Sequence, residues 1–151
     1  MRPEDPLVFP HDYPPLGGWK RFFIGVRWLG PDTSFFKELR SAQAARSLAL
    51  MDAWGGGERQ ALAMRIGVVF ASHCRWPTPF FLPDDNAAVI AGGPRFESIE
   101  GGEVESAILA IEAIAGVTMD RAFWVTASKS TLGQIVEQLQ AVQTASRTTS
   151  A

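Results

Sequence analysis

Three segments of the chain repeat apolar residues at the spacing of an α-helix, and this spacing constrains the fold most. In "GEVESAILAIEAIAG" the apolar positions recur at i, i+3, i+4 and i+7. A second such segment lies at 58–76. A third follows Thr131, which forms a capping box with Gln134. The apolar positions are Val104, Ala107, Ile108, Ile111, Ile114 and Ala115; Leu62, Ile66 and Val69, with His73; and Leu132, Ile135, Val136, Leu139 and Val142. We therefore predict a mostly α fold.

Proline and glycine divide the rest of the chain. Five prolines in residues 1–18 predict an extended arm that lies on the surface or is flexible. After Pro31-Asp32, good helix formers predict one helix running to about Trp54, ended by "GGG". The predicted organisation is an extended arm at 1–18, an N-terminal helical extension packed on the core at 19–56, a helical bundle domain at 57–143 and a flexible tail at 144–151.

The segment "WKRFFIGVRWLG", residues 19–30, fits two structures. As a helix it places Trp19, Phe22 and Val26 on one face, and as a strand it alternates Phe22, Ile24 and Val26. The alternative to the mostly α fold is therefore an α+β fold with a small sheet from 20–28, 87–91 and 122–127. For the last of these ranges, a short helix starting at Asp120 is the competing interpretation.

Composition excludes several classes of protein. A formal net charge of -2 without clustered Lys and Arg argues against a nucleic-acid-binding protein. The single cysteine, Cys74, permits no internal disulfide, and no apolar run approaches the roughly 18 residues of a membrane span. The N-terminal residues carry acids and prolines where an export signal needs an apolar run. We expect a soluble, cytoplasmic protein of bacterial type that binds no membrane.

The residues with reactive side chains form no catalytic or metal-binding pattern. His73 and Cys74 are neighbours on a helix and point about 100° apart, so we expect a core histidine and a buried thiol. Asp84-Asp85 lacks the spaced oxygen ligands of a calcium loop, and a turn or helix cap is expected there. We predict no catalytic residue, no metal ligand and no enzymatic activity.

Acidic residues cluster around the helix at 102–115. Residues 97–120 contain six acids and neither Lys nor Arg, and Glu105, Leu109 and Glu112 share one helix face. This pattern predicts a docking face, where acids attract a basic partner protein and the leucine anchors it. The predicted partner-binding residues are Glu97, Glu100, Glu103, Glu105, Leu109 and Glu112. The alternative is a solvated face with one exposed leucine.

From about Glu58 to Val142 the order of parts resembles the acyl carrier protein family. The corresponding segments are a helix at 58–76, a long loop at 77–97, an acidic helix at 102–115, a short helix at about 120–125 and a last helix at 131–143. The resemblance implies a four-helix bundle and a serine that carries phosphopantetheine. In "ESIE" that serine is Ser98, although the family has Asp-Ser-Leu there, and Gly101-Gly102 separate the motif from the helix. The alternative is that Ser98 is a loop serine or part of a helix cap.

Two functions remain open from the sequence. The first is a non-enzymatic, acyl-carrier-like or interaction protein that acts through the acidic second helix of the bundle, with or without phosphopantetheine on Ser98. The alternative is a small cytoplasmic binding protein, such as the immunity partner of a bacterial toxin. No other cofactor is implied.

Overall fold

The described residues are mostly helical. The structure, a computed structural model, describes residues 1–9, 34–93 and 102–149, and within these ranges it contains six α-helices, one 3₁₀ helix and no strand. The elements are α1 (Phe35–Ala44), the 3₁₀ helix (Leu48–Trp54), α2 (Gly57–His73), α3 (Ala87–Gly92), α4 (Gly102–Ala115), α5 (Arg121–Ala127) and α6 (Leu132–Thr149). The predicted mostly α fold is confirmed.

The alternative α+β fold is wrong wherever the structure describes its strands. Residues 87–91 fall in α3, and 122–127 fall in α5. Both helices are fixed by a side chain at their start: Asn86 accepts hydrogen bonds from the backbone N–H of Ala88 and Val89, and Asp120 accepts one from Phe123. The remaining proposed strand, 20–28, and the ambiguous segment 19–30 lie outside the described residues.

Helix α2 lies at the centre of the packing. It packs against α4, the 3₁₀ helix and α6, and α4 also packs against α6. Leu62, Ile66 and Val69 on its predicted core face are buried, while His73 at its end is half-buried. The helical periodicity therefore predicted correctly which side of α2 meets the core.

Helix α6 begins where the capping box predicts. The Thr131 N–H donates to Gln134 Oε1 at 3.0 Å, and the Gln134 N–H donates to Thr131 Oγ1 at 3.3 Å. The helix continues to Thr149, whereas the sequence predicted a helix to 143 and then a flexible tail. The hydroxyl groups of Thr144, Ser146 and Thr148 each donate to the carbonyl four residues earlier within the helix.

The helix predicted to run to Trp54 is broken. Helix α1 ends at Ala44, and the 3₁₀ helix begins at Leu48. At the break, the side chains of Gln43 and Arg46 turn inward to the loop at 78–85. Gln43 Nε2 donates to Thr78 O at 2.6 Å, and the Thr78 N–H donates to Gln43 Oε1 at 3.1 Å. These bonds to a distant loop favour a bent chain over a continuous helix.

The loop after α2 packs closely against the helices. Trp54 Nε1 donates to Phe81 O at 2.8 Å. The backbone of the loop passes so close to α2 that a Cβ added at Gly67 would lie 2.1 Å from Pro79 O. Residues 77–97 were predicted to be a long loop, but their described part, up to 93, contains α3.

A buried ion pair joins the break after α1 to this loop. The side chains of Arg46 and Asp85 are 0% exposed, and two Arg46 nitrogens contact the two Asp85 oxygens at 2.5 and 3.0 Å. The other three N–H groups of Arg46 donate to the carbonyl oxygens of Pro3, Asp5 and Phe80 at 3.0, 2.9 and 3.2 Å. All five donors of the guanidinium are therefore used.

The carboxylate of Asp85 is equally well satisfied. Oδ1 also accepts the N–H of Leu7 at 2.8 Å, and Oδ2 accepts the N–H of Leu82 at 2.7 Å. The Asp85 carbonyl oxygen accepts the N–H of Leu132 at 2.9 Å, which ties the start of α6 to the same residue. Asp85 thus joins the N-terminus, the central loop and α6.

The described part of the N-terminal arm places one side chain in this core. Leu7 is 0% exposed, and Phe9 contacts Phe35 edge-to-face with ring centroids 6.4 Å apart. The proline content predicted an arm on the surface or a flexible one, and at Leu7 the structure differs. The difference arises from hydrogen bonds to Arg46 and Asp85, which no local pattern in the sequence indicates.

Candidate partner-binding face

Only part of the predicted site lies within the described residues. Glu97, Ser98 and Glu100 lie outside them, so the serine motif has no described geometry. The other predicted partner-binding residues, Glu103, Glu105, Leu109 and Glu112, all lie on α4.

One side of α4 packs into the core. Ala107, Ile111 and Ala115 are buried, and α4 rests on α2 and α6 through this side. Leu109 points elsewhere, and its side chain is 66% exposed. The helix ends at Ala115, and Gly116 follows with φ +66°, a conformation that favours glycine.

A shallow groove runs beside Leu109. Its volume is about 370 Å³, and it is formed by the last turns of α4 and the connection that follows. The lining residues are Leu109, Glu112, Ala113, Gly116, Val117 and Thr118. The groove therefore combines one exposed leucine with small, polar and aliphatic neighbours on the acidic helix and in the connection that follows it.

Glu112 fixes the wall of this groove. Its Oε1 accepts the N–H of Met119 at 2.9 Å and Nε1 of Trp124 at 3.0 Å. The half-buried carboxylate thereby holds the connection after α4 and the aromatic side chain of α5. Glu112 was predicted only as an acid for a partner, and its internal role was missed because Met119 and Trp124 lie seven and twelve residues away.

The face is acidic. Glu105 and Asp120 are exposed, and residues 102–120 contain no Lys or Arg, although the exposed Arg121 follows at once. Glu103 is half-buried, and its charge acts on a buried neighbour. Burial and, second, the charge of Glu103 raise the pKa of the Cys74 thiol from 9.0 to about 11. Of the acids that the structure describes here, Glu105 is the one that is both exposed and on the Leu109 side of α4.

The other reactive side chains do not assemble into a site. Cys74 is buried, as predicted, and Asp85 forms a turn with Leu82 in addition to the ion pair with Arg46. In the described ranges, no group of three or more His, Cys, Asp or Glu side chains is placed to hold a metal ion. Arg46 was missed by the sequence analysis, since a single arginine among helix formers carries no distinguishing pattern.

Comparison with known proteins leaves the geometry as the basis for function. No protein-family model matches the chain, and no curated protein or solved structure is significantly similar to it. None of the helices in residues 34–93 and 102–149 is both long and apolar enough to cross a membrane.

Proposed function

We propose that the protein binds a partner protein with a basic surface through the outer face of α4 and the groove beside it. The observation that carries the proposal is Leu109, a leucine that is 66% exposed at the edge of a groove on an acidic helix. The absence of Lys and Arg from 102–120 supports a partner of positive charge, because like charges on the two surfaces would repel each other.

The contacts that the face offers suit a transient complex. Burying a leucine side chain fully is worth about 1.5–3 kcal/mol, which is too little to hold two proteins together without further contacts. The groove offers those contacts at Ala113, Val117 and Thr118. The charge of the exposed Glu105 then raises the association rate, and this contribution weakens as salt screens the charge.

Photo-cross-linking in the native cells tests the face directly. A photoreactive benzoylphenylalanine is placed at Ala113 in the groove or, as a control, at Ala61, which is exposed on α2. We expect a discrete adduct from Ala113 and none from Ala61. Leu109→Lys should abolish the adduct, whereas Val68→Lys, at an exposed valine of α2, should leave it unchanged.

The outcomes separate a docking face from a solvated surface. Equal adducts from Ala113 and Ala61 would indicate random collisions. An adduct that persists in Leu109→Lys would remove the leucine from the interface. A true complex should also weaken as sodium chloride rises from about 50 to about 500 mM, because the shorter Debye length screens the attraction between the charges of the two surfaces.

The carrier form of the proposal adds phosphopantetheine at Ser98. It rests on the resemblance of the chain to acyl carrier proteins, and Ser98 lies outside the described residues. Co-expression with a broad-specificity phosphopantetheinyl transferase should increase the mass of the intact protein by one prosthetic group. Ser98→Ala should prevent the increase, and Ser106→Ala, at an exposed serine of α4, should not. An unmodified wild-type chain would leave only the docking form of the proposal.

A further inference from the structure

The N-terminal segment, residues 1–9, contacts the described part of the chain through backbone hydrogen bonds and through the side chains of Leu7 and Phe9. It contains no helix or strand, and it begins with a turn in which the Asp5 N–H donates to Arg2 O. Leu7 is its one fully buried side chain among the described residues 1–9. Phe9 is half-buried against Phe35. Segments without regular secondary structure and with few fully buried side chains are among those that open before the rest of a fold.

Four backbone groups of the segment form hydrogen bonds with the rest of the protein. The carbonyl oxygens of Pro3 and Asp5 accept hydrogen bonds from Arg46. The Leu7 N–H donates to Asp85, and the Leu7 carbonyl oxygen accepts the N–H of Asn86 at 2.9 Å. These residues are spaced two apart in sequence, and the recognition combines backbone groups with one apolar side chain.

Arg46 and Asp85, which bind the segment, also form hydrogen bonds that do not involve it. Arg46 keeps both contacts with Asp85 and its bond to Phe80 O, and Asp85 keeps the N–H of Leu82. None of these bonds involves residues 1–9. The Arg46–Asp85 pair would therefore remain assembled if the segment left, and it would present free N–H groups and a free carboxylate lone pair beside the space that Leu7 fills.

We infer that the Arg46–Asp85 pair forms a receptor site for a short peptide, and that residues 1–9 are its ligand, held in cis and replaceable by residues 1–9 of a second copy. The ligand is defined by its chemistry: two carbonyl oxygens for the guanidinium, one N–H for the carboxylate, one carbonyl oxygen for the Asn86 N–H, and one leucine. This inference is independent of the docking face on α4.

Hydrogen exchange of the full chain is the first test. When the segment opens, the amides of Leu7 and Asn86 lose their partners, while the Leu132 amide keeps its bond to Asp85 O. We expect the Leu7 and Asn86 amides to exchange at least about tenfold faster than the Leu132 amide after correction for intrinsic rates. Equal corrected rates for all three amides would show that the segment leaves only when the whole protein unfolds, which overturns the inference.

Peptide binding in trans is the second test. A fluorescent peptide of residues 1–9 is titrated into the full chain carrying Leu7→Ala, in which the segment in cis is weakened. We expect saturable binding, and at least about tenfold weaker binding of a peptide that itself carries Leu7→Ala. No binding by the unsubstituted peptide, or a Leu7→Ala chain that fails to fold, would show that Leu7 belongs to the permanent core.

Discussion

Replacing Asp85 by asparagine tests whether the buried ion pair supports the fold. The substitution Asp85→Asn preserves the shape of the side chain and changes one oxygen to an NH₂ group. Each carboxylate oxygen accepts one N–H from Arg46 and one from the backbone. Whichever way the amide is turned, its NH₂ group therefore meets two donors, and Arg46 loses its counter-charge in a site that is 0% exposed.

The expected cost follows from these contacts. Removing one partner of a buried pair typically destabilises a protein by about 3–5 kcal/mol. Three carbonyl oxygens, those of Pro3, Asp5 and Phe80, still accept from Arg46, so we expect about 3 kcal/mol, the lower end of that range. With a urea m-value of about 2 kcal/mol/M, the unfolding midpoint should fall by about 1.5 M.

Urea unfolding followed by circular dichroism at pH 7 measures this change, and the neighbouring residue supplies the control. Asp84 is exposed, and Asp84→Asn should alter the free energy of unfolding by less than about 0.5 kcal/mol. The double variant Arg46→Met with Asp85→Asn should lose less than the sum of the single losses, because no unpaired charge is then left buried. Equal midpoints for Asp85→Asn and Asp84→Asn would refute the assigned role of the pair.

Three further predictions concern other parts of the fold. Gly67→Ala should lower the free energy of unfolding by about 1–3 kcal/mol, measured by urea unfolding, because its Cβ would lie 2.1 Å from Pro79 O. A loss below about 0.5 kcal/mol would contradict that contact. Thr131→Ala should cost about 1 kcal/mol in thermal unfolding because the cap on Gln134 is lost, and an unchanged melting temperature would argue against the capping box. The pKa of Cys74 is raised from 9.0 to about 11, so the thiol of the unfolded chain ionises first and the free energy of unfolding should fall from pH 9 to 11. The free energy of unfolding of Cys74→Ala should fall less over this range, and parallel pH dependences of the two proteins would disprove the shift.

The elements that could be predicted from the sequence are those fixed by neighbouring residues. The start of α6 depends on a cap and its partner three residues later, and α5 depends on Asp120 three residues before Phe123. The core side of α4 follows from helical spacing, since Ala107, Ile111 and Ala115 are buried. The other three predicted positions, Val104, Ile108 and Ile114, are half-buried. In each case the residues that carry the signal lie on one helix or at its start, so the sequence displays them together.

The elements that could not be predicted depend on contacts between distant residues. The break after α1 brings Arg46 to Asp85, thirty-nine residues later, and Leu7 reaches Asp85 across seventy-eight residues. A proline-rich arm and an Asp-Asp pair are ordinary in isolation. Only in the folded chain do they satisfy each other's hydrogen-bonding groups, and helix propensity at 45–47 is outweighed by those bonds.

Glu112 shows why an acidic helix face cannot be read as a binding face from spacing alone. It shares a face with Glu105 and Leu109 at helical spacing, yet its carboxylate holds the Met119 N–H and the Trp124 indole within the protein. The internal role does not remove it from the proposed interface, because Glu112 also lines the groove. It changes what the residue contributes: Glu112 sets the shape of the groove, Leu109 supplies the exposed apolar contact, and Glu105 supplies the exposed charge. A partner would therefore meet a surface whose shape depends on α5 as much as on the acidic helix.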